Sequence, residues 1–210
     1  AKICKEYNLD QFIHVSALGI EKATDSNYAK SKLEGEKLVK QNFERSIILK
    51  PSIVFSQDDD FSTKFLSLLK LLPFFPIFYN TKFTPIHCTD FSEIIVEVIN
   101  RNIISETFEC VGPQVLTFKE ILQILLKLIN KKKLLIPMPI ILSKFMIKIF
   151  ELMPNPLMTL DQLKLLKYDN ILSGNYKSNT DLKMKANLEF EQEVKKYSFM
   201  WKEGGEYSKN

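Results

Sequence analysis

Residues 11–55 read QFIHVSALGIEKATDSNYAKSKLEGEKLVKQNFERSIILKPSIVF, and the order of patterns in this stretch decides the fold. The run QFIHVS predicts a short buried strand, and SNYAKSKLEGEKLVKQNF carries apolar residues at helical spacing between charges. SIILKPSIVF then predicts a second strand that is interrupted or ends near Pro51, because proline cannot donate a ladder hydrogen bond. Strand, helix and strand in this order indicate a parallel sheet covered by helices on both faces.

The alternation continues towards the C-terminus. Phe61 to Leu72 predicts a helix, residues 71–88 predict a proline-punctuated loop region with short extended pieces, and ETFECVGP at 106–113 predicts another strand. Three helix starts are indicated by capping boxes, in which a side chain at the cap and an acid or amide three residues later bond each other's backbone amides. They are Asp90 with Glu93, Thr117 with Glu120, and Thr159 with Gln162.

Composition narrows the class of protein. A chain of 210 residues that is 45% hydrophobic can bury one sizeable core. The net charge of +4 is spread along the chain apart from Lys131–Lys133, so nucleic acid is not a predicted partner. Three cysteines without paired or metal-ligand spacing favour a reduced, cytoplasmic compartment. His14 and His87 lack a second ligand at suitable spacing, so no metal site is predicted.

The segment from Leu134 to Met153 leaves two interpretations open. Its uncharged apolar runs are too short to span a bilayer. It mixes Leu, Ile, Phe and Met with Lys144 and Lys148, as a helix lying on a membrane surface or against a partner protein would. A lysine-bordered helix packed on its own domain fits the same pattern.

Tyr28 and Lys32 are four residues apart on one face of the predicted helix. A Tyr-x-x-x-Lys spacing is expected about once by chance in a chain of this composition, so the spacing alone carries no weight. The context gives it weight. A buried strand that ends at Ser16 precedes the pair, and a strand that contains Pro51 follows it.

These elements resemble the short-chain dehydrogenase/reductase superfamily, in particular its extended branch of nucleotide-sugar epimerases and dehydratases. The resemblance rests on FIHVSALG, YAKSK and LKPSIVF. Five blocks resemble more closely one atypical subgroup, the nucleotide-binding accessory subunit of respiratory complex I and its bacterial relatives. The blocks, which cover most of residues 11–172, are FIHVSALG, YAKSKLEGEKLV, ILKPSIVFSQDDDF, FECVGPQVLTF and PNPLMTLDQLKLLKYDN.

The resemblance implies roles for six residues. Tyr28 would exchange a proton with the substrate oxygen during hydride transfer. Lys32 and the positive nicotinamide ring would together lower the Tyr28 pKa from the usual value of about 10, and Lys32 would also hold the nicotinamide ribose. Ser16 would hydrogen-bond the substrate oxygen or the tyrosine. The segment Pro51, Ser52 and Ile53 would line the nicotinamide. The implied cofactor is NADP or NAD, with NADPH favoured.

Three departures from the family pattern argue against catalytic turnover more than against cofactor binding. Active extended members carry two adjacent Ser or Thr residues at the strand end, whereas Ser16 is followed by Ala17. The glycine that usually closes the proline-containing strand is replaced by Ser56. The loop from Ser16 to Tyr28 is also short for an active epimerase.

The chain has six glycines, and none has the spacing of a loop that cradles a pyrophosphate. Since the resemblance begins midway through the family fold, we expect that an N-terminal piece with the first strands and the glycine loop is missing. The predicted fold is α/β, a doubly wound parallel sheet, incomplete at its N-terminus. Residues 1–112 would be the C-terminal half of an NAD(P)-binding Rossmann-type domain, 113–200 a smaller, mostly helical region, and 201–210 a frayed tail.

Three function classes stay open. The first is an accessory or assembly subunit of NADH:quinone oxidoreductase (complex I) with a largely structural cofactor, located in the cytoplasm or on the cytoplasmic face of the inner membrane. The second is an active NAD(P)-dependent oxidoreductase, epimerase or dehydratase that uses Tyr28 and Lys32. The third is a membrane-surface protein that handles lipid or quinone. The apolar run LLKLLPFFPIFY, residues 68–79, favours a lipid, quinone or protein partner over a nucleotide sugar.

Overall fold

A computed structural model of the chain describes residues 1–152, 156 and 158–209. Part of the sequence block that begins at Pro154, and Asn210 of the predicted tail, lie outside the described residues. The elements are, in chain order, α1 Lys2–Glu6, β1 Phe12–Val15, α2 Asn27–Asn42, β2 Ser46–Pro51, β3 Val54–Phe55, α3 Ser62–Leu71, β4 Phe74–Ile77, β5 Lys82–Phe83, β6 Ile86–His87, α4 Cys88–Asn100, β7 Thr107–Cys110, β8 Leu116–Thr117, α5 Phe118–Leu128, β9 Leu134–Pro137, α6 Ile140–Phe150, α7 Leu160–Leu165, β10 Lys177–Ser178, α8 Phe190–Lys195, and the 3-10 helices Ser198–Trp201 and Glu206–Lys209.

The main sheet has four parallel strands in the order β1-β2-β7-β10. Phe12 lies opposite Ser46, and Ile48 lies opposite Thr107. All six residues of β2 are buried, as expected of an inner strand in a parallel sheet. Helix α2 connects β1 to β2, so the predicted strand, helix and strand over residues 11–55 are confirmed.

Three smaller strand pairs surround the main sheet in the described part of the chain. Strand β3 pairs with β6 and β4 with β9 in parallel, while β5 and β8 are antiparallel. The β4–β9 pair corrects one prediction, since the helix expected from Leu134 begins only at Ile140. Pro137 and Pro139 exclude a helix interior at this point, and the preceding residues pair with β4 instead.

Two of the three predicted capping boxes are confirmed, at Thr117 and at Thr159. The box predicted at Asp90 is wrong. Helix α4 begins at Cys88 and is capped by His87, whose Nδ1 accepts a 3.3 Å hydrogen bond from the Thr89 amide. The Asp90 carboxylate is buried and accepts hydrogen bonds of 3.1 and 3.0 Å from the backbone amides of residues 187 and 188.

The largest apolar core lies between α3, α5 and the C-terminal helices. It contains Phe65 from α3, Phe118 from α5, Phe190 from α8 and Trp201. Trp201 opens the stretch predicted to fray, and it is 4% exposed. Strand β10 adds a late segment to the main sheet. Residues on both sides of position 112 therefore share a core and a sheet, while the division into two regions stays a prediction.

A second core cluster lies against the main sheet. Ile47 and Leu49 of β2 and Phe108 of β7 pack there with Phe91 and Ile94 of α4. Helix α4 is therefore held on the sheet by its apolar face. Within the residues described, no helix combines the length and the apolar content needed to cross a bilayer.

Candidate functional site

A cavity of about 530 Å³ opens where β1 and β2 end. Parallel α/β sheets bind ligands outside the carboxyl ends of their strands, so this is the expected place for a site. The structure brings all of the site residues predicted from the sequence to its wall. They are Ser16 after β1, Tyr28 and Lys32 on α2, and Pro51, Ser52 and Ile53 at the end of β2.

Tyr28 and Lys32 face the cavity from adjacent turns of α2. The Lys32 Nζ lies 5.9 Å from the centroid of the Tyr28 ring and donates a long hydrogen bond of 3.4 Å to the Val15 carbonyl. Burial raises the pKa of the Tyr28 phenol, although the residue is 43% exposed. In the chain by itself the lost hydration of the phenolate sets the direction of this shift, and the lowering implied for Lys32 together with a bound nicotinamide stays a prediction.

The N-terminus of α2 is anchored by Asp161 of α7. Its carboxylate accepts hydrogen bonds from the Ser26 hydroxyl at 2.8 Å, the Asn27 amide at 2.8 Å and the Tyr28 amide at 3.0 Å. Burial by itself would raise the pKa of Asp161, but these hydrogen bonds outweigh it and the pKa is lowered. A carboxylate at this place also complements the positive end of the helix. Asp161 thus fixes the turn that carries Tyr28.

The Ser16 hydroxyl is engaged behind the cavity wall. It donates a 2.5 Å hydrogen bond to Oε1 of Glu36 on α2. The same oxygen lies 2.9 Å from Nζ of Lys50, which also forms an ion pair with Glu21. Lys50 is completely buried, and its amine lies 4.9 Å from the centroid of the Tyr176 ring. The hydrogen bond of the Ser16 hydroxyl is therefore given to Glu36 of this cluster. The predicted role of Ser16 towards a substrate or Tyr28 stays a prediction.

Burial would lower the pKa of the Lys50 amine, but the hydrogen bonds and charges of Glu21 and Glu36 outweigh it, and the pKa is raised. A buried ammonium is stable only when it is paired in this way. The cluster therefore joins β2 to α2 and to the loop after β1.

Asn170 joins the loops that form the cavity rim. Its side-chain amide donates a 2.5 Å hydrogen bond to the Leu18 carbonyl and accepts one of 2.5 Å from the Ser52 hydroxyl. Gly19 makes this close approach possible. It has a φ of +77°, which disfavours residues with a side chain, and a Cβ there would lie 3.0 Å from the Asp169 carbonyl oxygen.

The remainder of the cavity wall is mainly apolar. Phe61 and Phe65 of the α3 region, Phe83 of β5, and Leu165 and Leu166 of the α7 region line it. The cations among the lining residues are Lys32 and Lys64, and the Lys64 amine donates to a backbone carbonyl at 3.3 Å. This wall suits an apolar ligand better than a nucleotide sugar, whose diphosphate needs several cationic or amide donors.

Several residues that shape the site were missed by the sequence reasoning. Lys50 had a local signal, since it is the one charged residue in the strand SIILKP. Asp161 and Asn170 had none, because their partners are more than 100 residues away in the chain.

A family model described as RmlD substrate binding domain matches residues 21–147. Two curated proteins are similar to this chain. The Dictyostelium discoideum protein "NADH dehydrogenase [ubiquinone] 1 alpha subcomplex subunit 9, mitochondrial" is 30% identical over 121 residues, which is 57% of this chain and 34% of the relative. The Neurospora crassa "NADH-ubiquinone oxidoreductase 40 kDa subunit, mitochondrial" is 26% identical over 191 residues, 87% of this chain and 48% of the relative. The chain spans about half the length of these relatives or less.

Solved structures with the same fold include two with a bound nicotinamide nucleotide. UDP-glucuronic acid 4-epimerase from Bacillus cereus, in complex with UDP-glucuronic acid and NAD, superimposes with a TM-score of 0.59 at 19% identity, over 93% of this chain and 63% of that one. RMD from Pseudomonas aeruginosa, complexed with NADPH, gives 0.61 at 12% identity, over 94% and 67%. At such identities the likeness concerns the fold alone, and it confirms the predicted doubly wound α/β class.

Proposed function

This chain belongs to the RmlD substrate binding domain family, and we propose that it is the nicotinamide-binding part of an accessory or assembly subunit of an NADH:quinone oxidoreductase. The predicted kinship with extended short-chain dehydrogenases and epimerases is confirmed by that membership. One observation carries the functional proposal. The chain is similar to NADH dehydrogenase subunits and has Tyr28, Lys32 and Pro51–Ile53 around one cavity at the carboxyl ends of parallel strands.

The residues present fit the nicotinamide end of the nucleotide. Among the described residues, the Lys32 amine is held by one long hydrogen bond of 3.4 Å to the Val15 carbonyl, so it can turn to the ribose hydroxyls at little cost. Pro51 to Ile53 offer an apolar edge for the ring, and the half-exposed Tyr28 phenol offers a donor beside it. When bound, the nicotinamide would supply or accept a hydride. We propose NADPH as the bound nucleotide, because the family resemblance favours it over NAD.

Two features of the site favour a structural role for the nucleotide over turnover. The Ser16 hydroxyl donates its hydrogen bond to Glu36 inside the fold, away from a substrate. In the chain without nucleotide, burial raises the pKa of Tyr28, which disfavours the phenolate that a general base would need. An active NAD(P)-dependent oxidoreductase is the second candidate, because the Tyr28 and Lys32 side chains both face the cavity.

The test uses the natural full-length protein in cells and after purification. Lys32→Ala should weaken NADPH binding by about tenfold or more, since it removes the cation beside the ribose. Lys37→Ala, an exposed lysine on the same helix, is the matched control and should bind as the wild type does. Equal affinity of Lys32→Ala and wild type would contradict the proposed nucleotide site.

Tyr28→Phe separates the two candidate functions. In a structural binder, this variant should co-migrate with complex I on a native gel at the wild-type level. In an active reductase, it should lose turnover by orders of magnitude, because the proton donor is gone. With the accessory-subunit role we also propose a location at the cytoplasmic face of the membrane. Finding the wild-type protein only as a free soluble species would exclude both the role and this location.

A further inference from the structure

The chain segment around Lys131–Lys133 carries basic residues and no acidic ones. Between Ile121 and Phe150 there is no aspartate and no glutamate, while the chain as a whole carries 25 acidic residues. The lysines of this segment are Lys127, Lys131, Lys132, Lys133, Lys144 and Lys148. They exceed the net charge of +4 of the whole chain, so the remainder of the molecule is slightly negative. Lys127 is paired with Glu191 at 2.5 Å, and a surface formed by the other lysines of the segment attracts anions.

Helix α6, within this segment, exposes an apolar stripe. Ile141 is 85% exposed, Phe145 65% and Ile149 50%, and their spacing of four residues puts them on one face. Leu142 and Leu152 extend the same stripe and are 53% and 84% exposed. Side chains this large and this exposed, in a contiguous stripe, mark an interaction surface.

The opposite face of α6 holds the helix on the protein. Ile147 is completely buried and packs with Phe78, Met158 and Leu163. Ser143 is buried as well, and its hydroxyl donates a 2.9 Å hydrogen bond to the Pro139 carbonyl. The helix is therefore anchored to the fold by one face and presents the apolar stripe on the other.

Lys144 and Lys148 lie one turn apart beside the stripe, and both are exposed. Lysine stems extend along apolar surface while the amines reach outwards to polar groups. A helix with an apolar face and lysines at its edge is typical of segments that lie in the interfacial layer of a bilayer.

We propose that α6 lies flat on a bilayer that contains anionic lipid, with Ile141, Phe145 and Ile149 inserted among the acyl chains and Lys144 and Lys148 at the headgroups. A protein partner is less well matched. Residues 121–150 contain no arginine, tryptophan or tyrosine, which are the residue types that dominate binding energy at protein interfaces. A segment of lysines without acids instead complements an extended anionic surface.

Vesicle flotation of the full chain tests this surface. We expect the wild type to float with vesicles in which about one third of the phosphatidylcholine is replaced by phosphatidylglycerol, and to bind pure phosphatidylcholine much more weakly. The variant Phe145→Ser with Ile149→Ser should partition about tenfold more weakly. The matched control is Val96→Ser with Ile99→Ser on α4, where the residues are 53% and 51% exposed, and it should float as the wild type does.

The charge contribution has its own pair of variants. Lys144→Glu with Lys148→Glu should abolish flotation with anionic vesicles, whereas Lys2→Glu with Lys5→Glu, on exposed positions of α1 and with the same charge change, should not. The proposal is overturned if the wild type stays in the buffer, if it binds neutral and anionic vesicles equally, or if both α6 variants float normally. Circular dichroism checks that each variant is folded. The Lys32→Ala variant should float with the vesicles as the wild type does. A failure of the membrane proposal can therefore be told apart from a failure of the proposed nucleotide site.

Discussion

At the scale of single residues, Lys50 is the position of the site that depends most on its partners, because it is a buried charge. Its amine is completely buried in the middle of the main sheet and is paired with Glu36 at 2.9 Å and with Glu21. Such a cluster is stable only as a set, because a buried charge without its partner loses hydration and gains nothing in return. The Ser16 hydroxyl belongs to the same set through its bond to Glu36.

Lys50→Met should lower the free energy of unfolding by about 3–5 kcal/mol, because two carboxylates lose their buried counter-ion. Urea unfolding followed by circular dichroism measures this change. Lys177→Met, which breaks the exposed pair of Lys177 with Glu106, is the control and should cost about 1 kcal/mol or less. Adding Glu36→Gln to Lys50→Met should restore part of the stability. No recovery in the double variant would contradict the proposed charge balance.

The pH dependence of this effect follows from the raised pKa of Lys50. A lysine whose pKa is higher in the folded state stabilises the fold at every pH below its ordinary value and loses that contribution only when the pH rises through the folded value. The difference between wild type and Lys50→Met should therefore stay constant between about pH 6 and pH 9. A marked change near pH 7 would show that another group is titrating in the cluster.

At the scale of elements, the site depends on α7 as an anchor for α2. Asp161 of α7 bonds the cap residue and the first turn of α2, so the position of Tyr28 depends on a helix more than 130 residues further along the chain. A small displacement of α7 would move the phenol in the cavity.

Asp161→Ala should destabilise the protein by about 1–2 kcal/mol, because the capped amides lose a charged acceptor. The lowered pKa of Asp161 means that its contribution is present above the ordinary pKa of an aspartate and is lost as the pH falls through the lower folded value. The difference from wild type should therefore shrink below about pH 4. Unfolding in urea at neutral and acidic pH measures it. Asp58→Ala, at an exposed position, should change stability little, and an equal loss there would contradict the anchoring role.

Local patterns in the sequence predicted much of the fold around the site. Apolar runs and helical spacing predicted β1, α2 and β2 because these elements follow from neighbouring residues. The wrong predictions concern partners that are distant in the chain. Residues Leu134 to Pro137 form a strand because they pair with β4. The Asp90 carboxylate does not cap α4, because it accepts hydrogen bonds from the amides of residues 187 and 188.

The candidate site divides in the same way. Tyr28, Lys32 and Pro51 could be predicted because the order of strand, loop, helix and strand determines which residues meet at the carboxyl ends of β1 and β2. Asp161 and Asn170 could not, because nothing near them in the sequence indicates that they close the site from the C-terminal side. The buried cluster around Lys50 needed the positions of Glu21 and Glu36 in space.

At the scale of the whole molecule, the largest core crosses the predicted boundary at residue 112. Phe65 of α3 packs in it with Phe118 of α5, while Phe190 and Trp201 contribute from the C-terminal end. Polar contacts cross it as well, since the Trp201 indole donates a 2.9 Å hydrogen bond to the Ser67 hydroxyl. A shared core of this kind links the two regions energetically, because separating them would expose apolar residues of both.

The chain should therefore unfold in one cooperative transition. Trp201 is the single tryptophan, so its fluorescence reports the C-terminal packing, whereas far-UV circular dichroism reports the helices throughout. In urea the two signals should have the same midpoint. Phe190→Ala, which removes a completely buried ring from the shared core, should lower both midpoints together and cost about 3–5 kcal/mol. If the fluorescence changed at a lower urea concentration than the dichroism, the packing around Trp201 would be lost before the rest of the fold, and the single transition would be contradicted. Coincident midpoints would mean that the residues on the two sides of position 112 unfold together, as one cooperative unit.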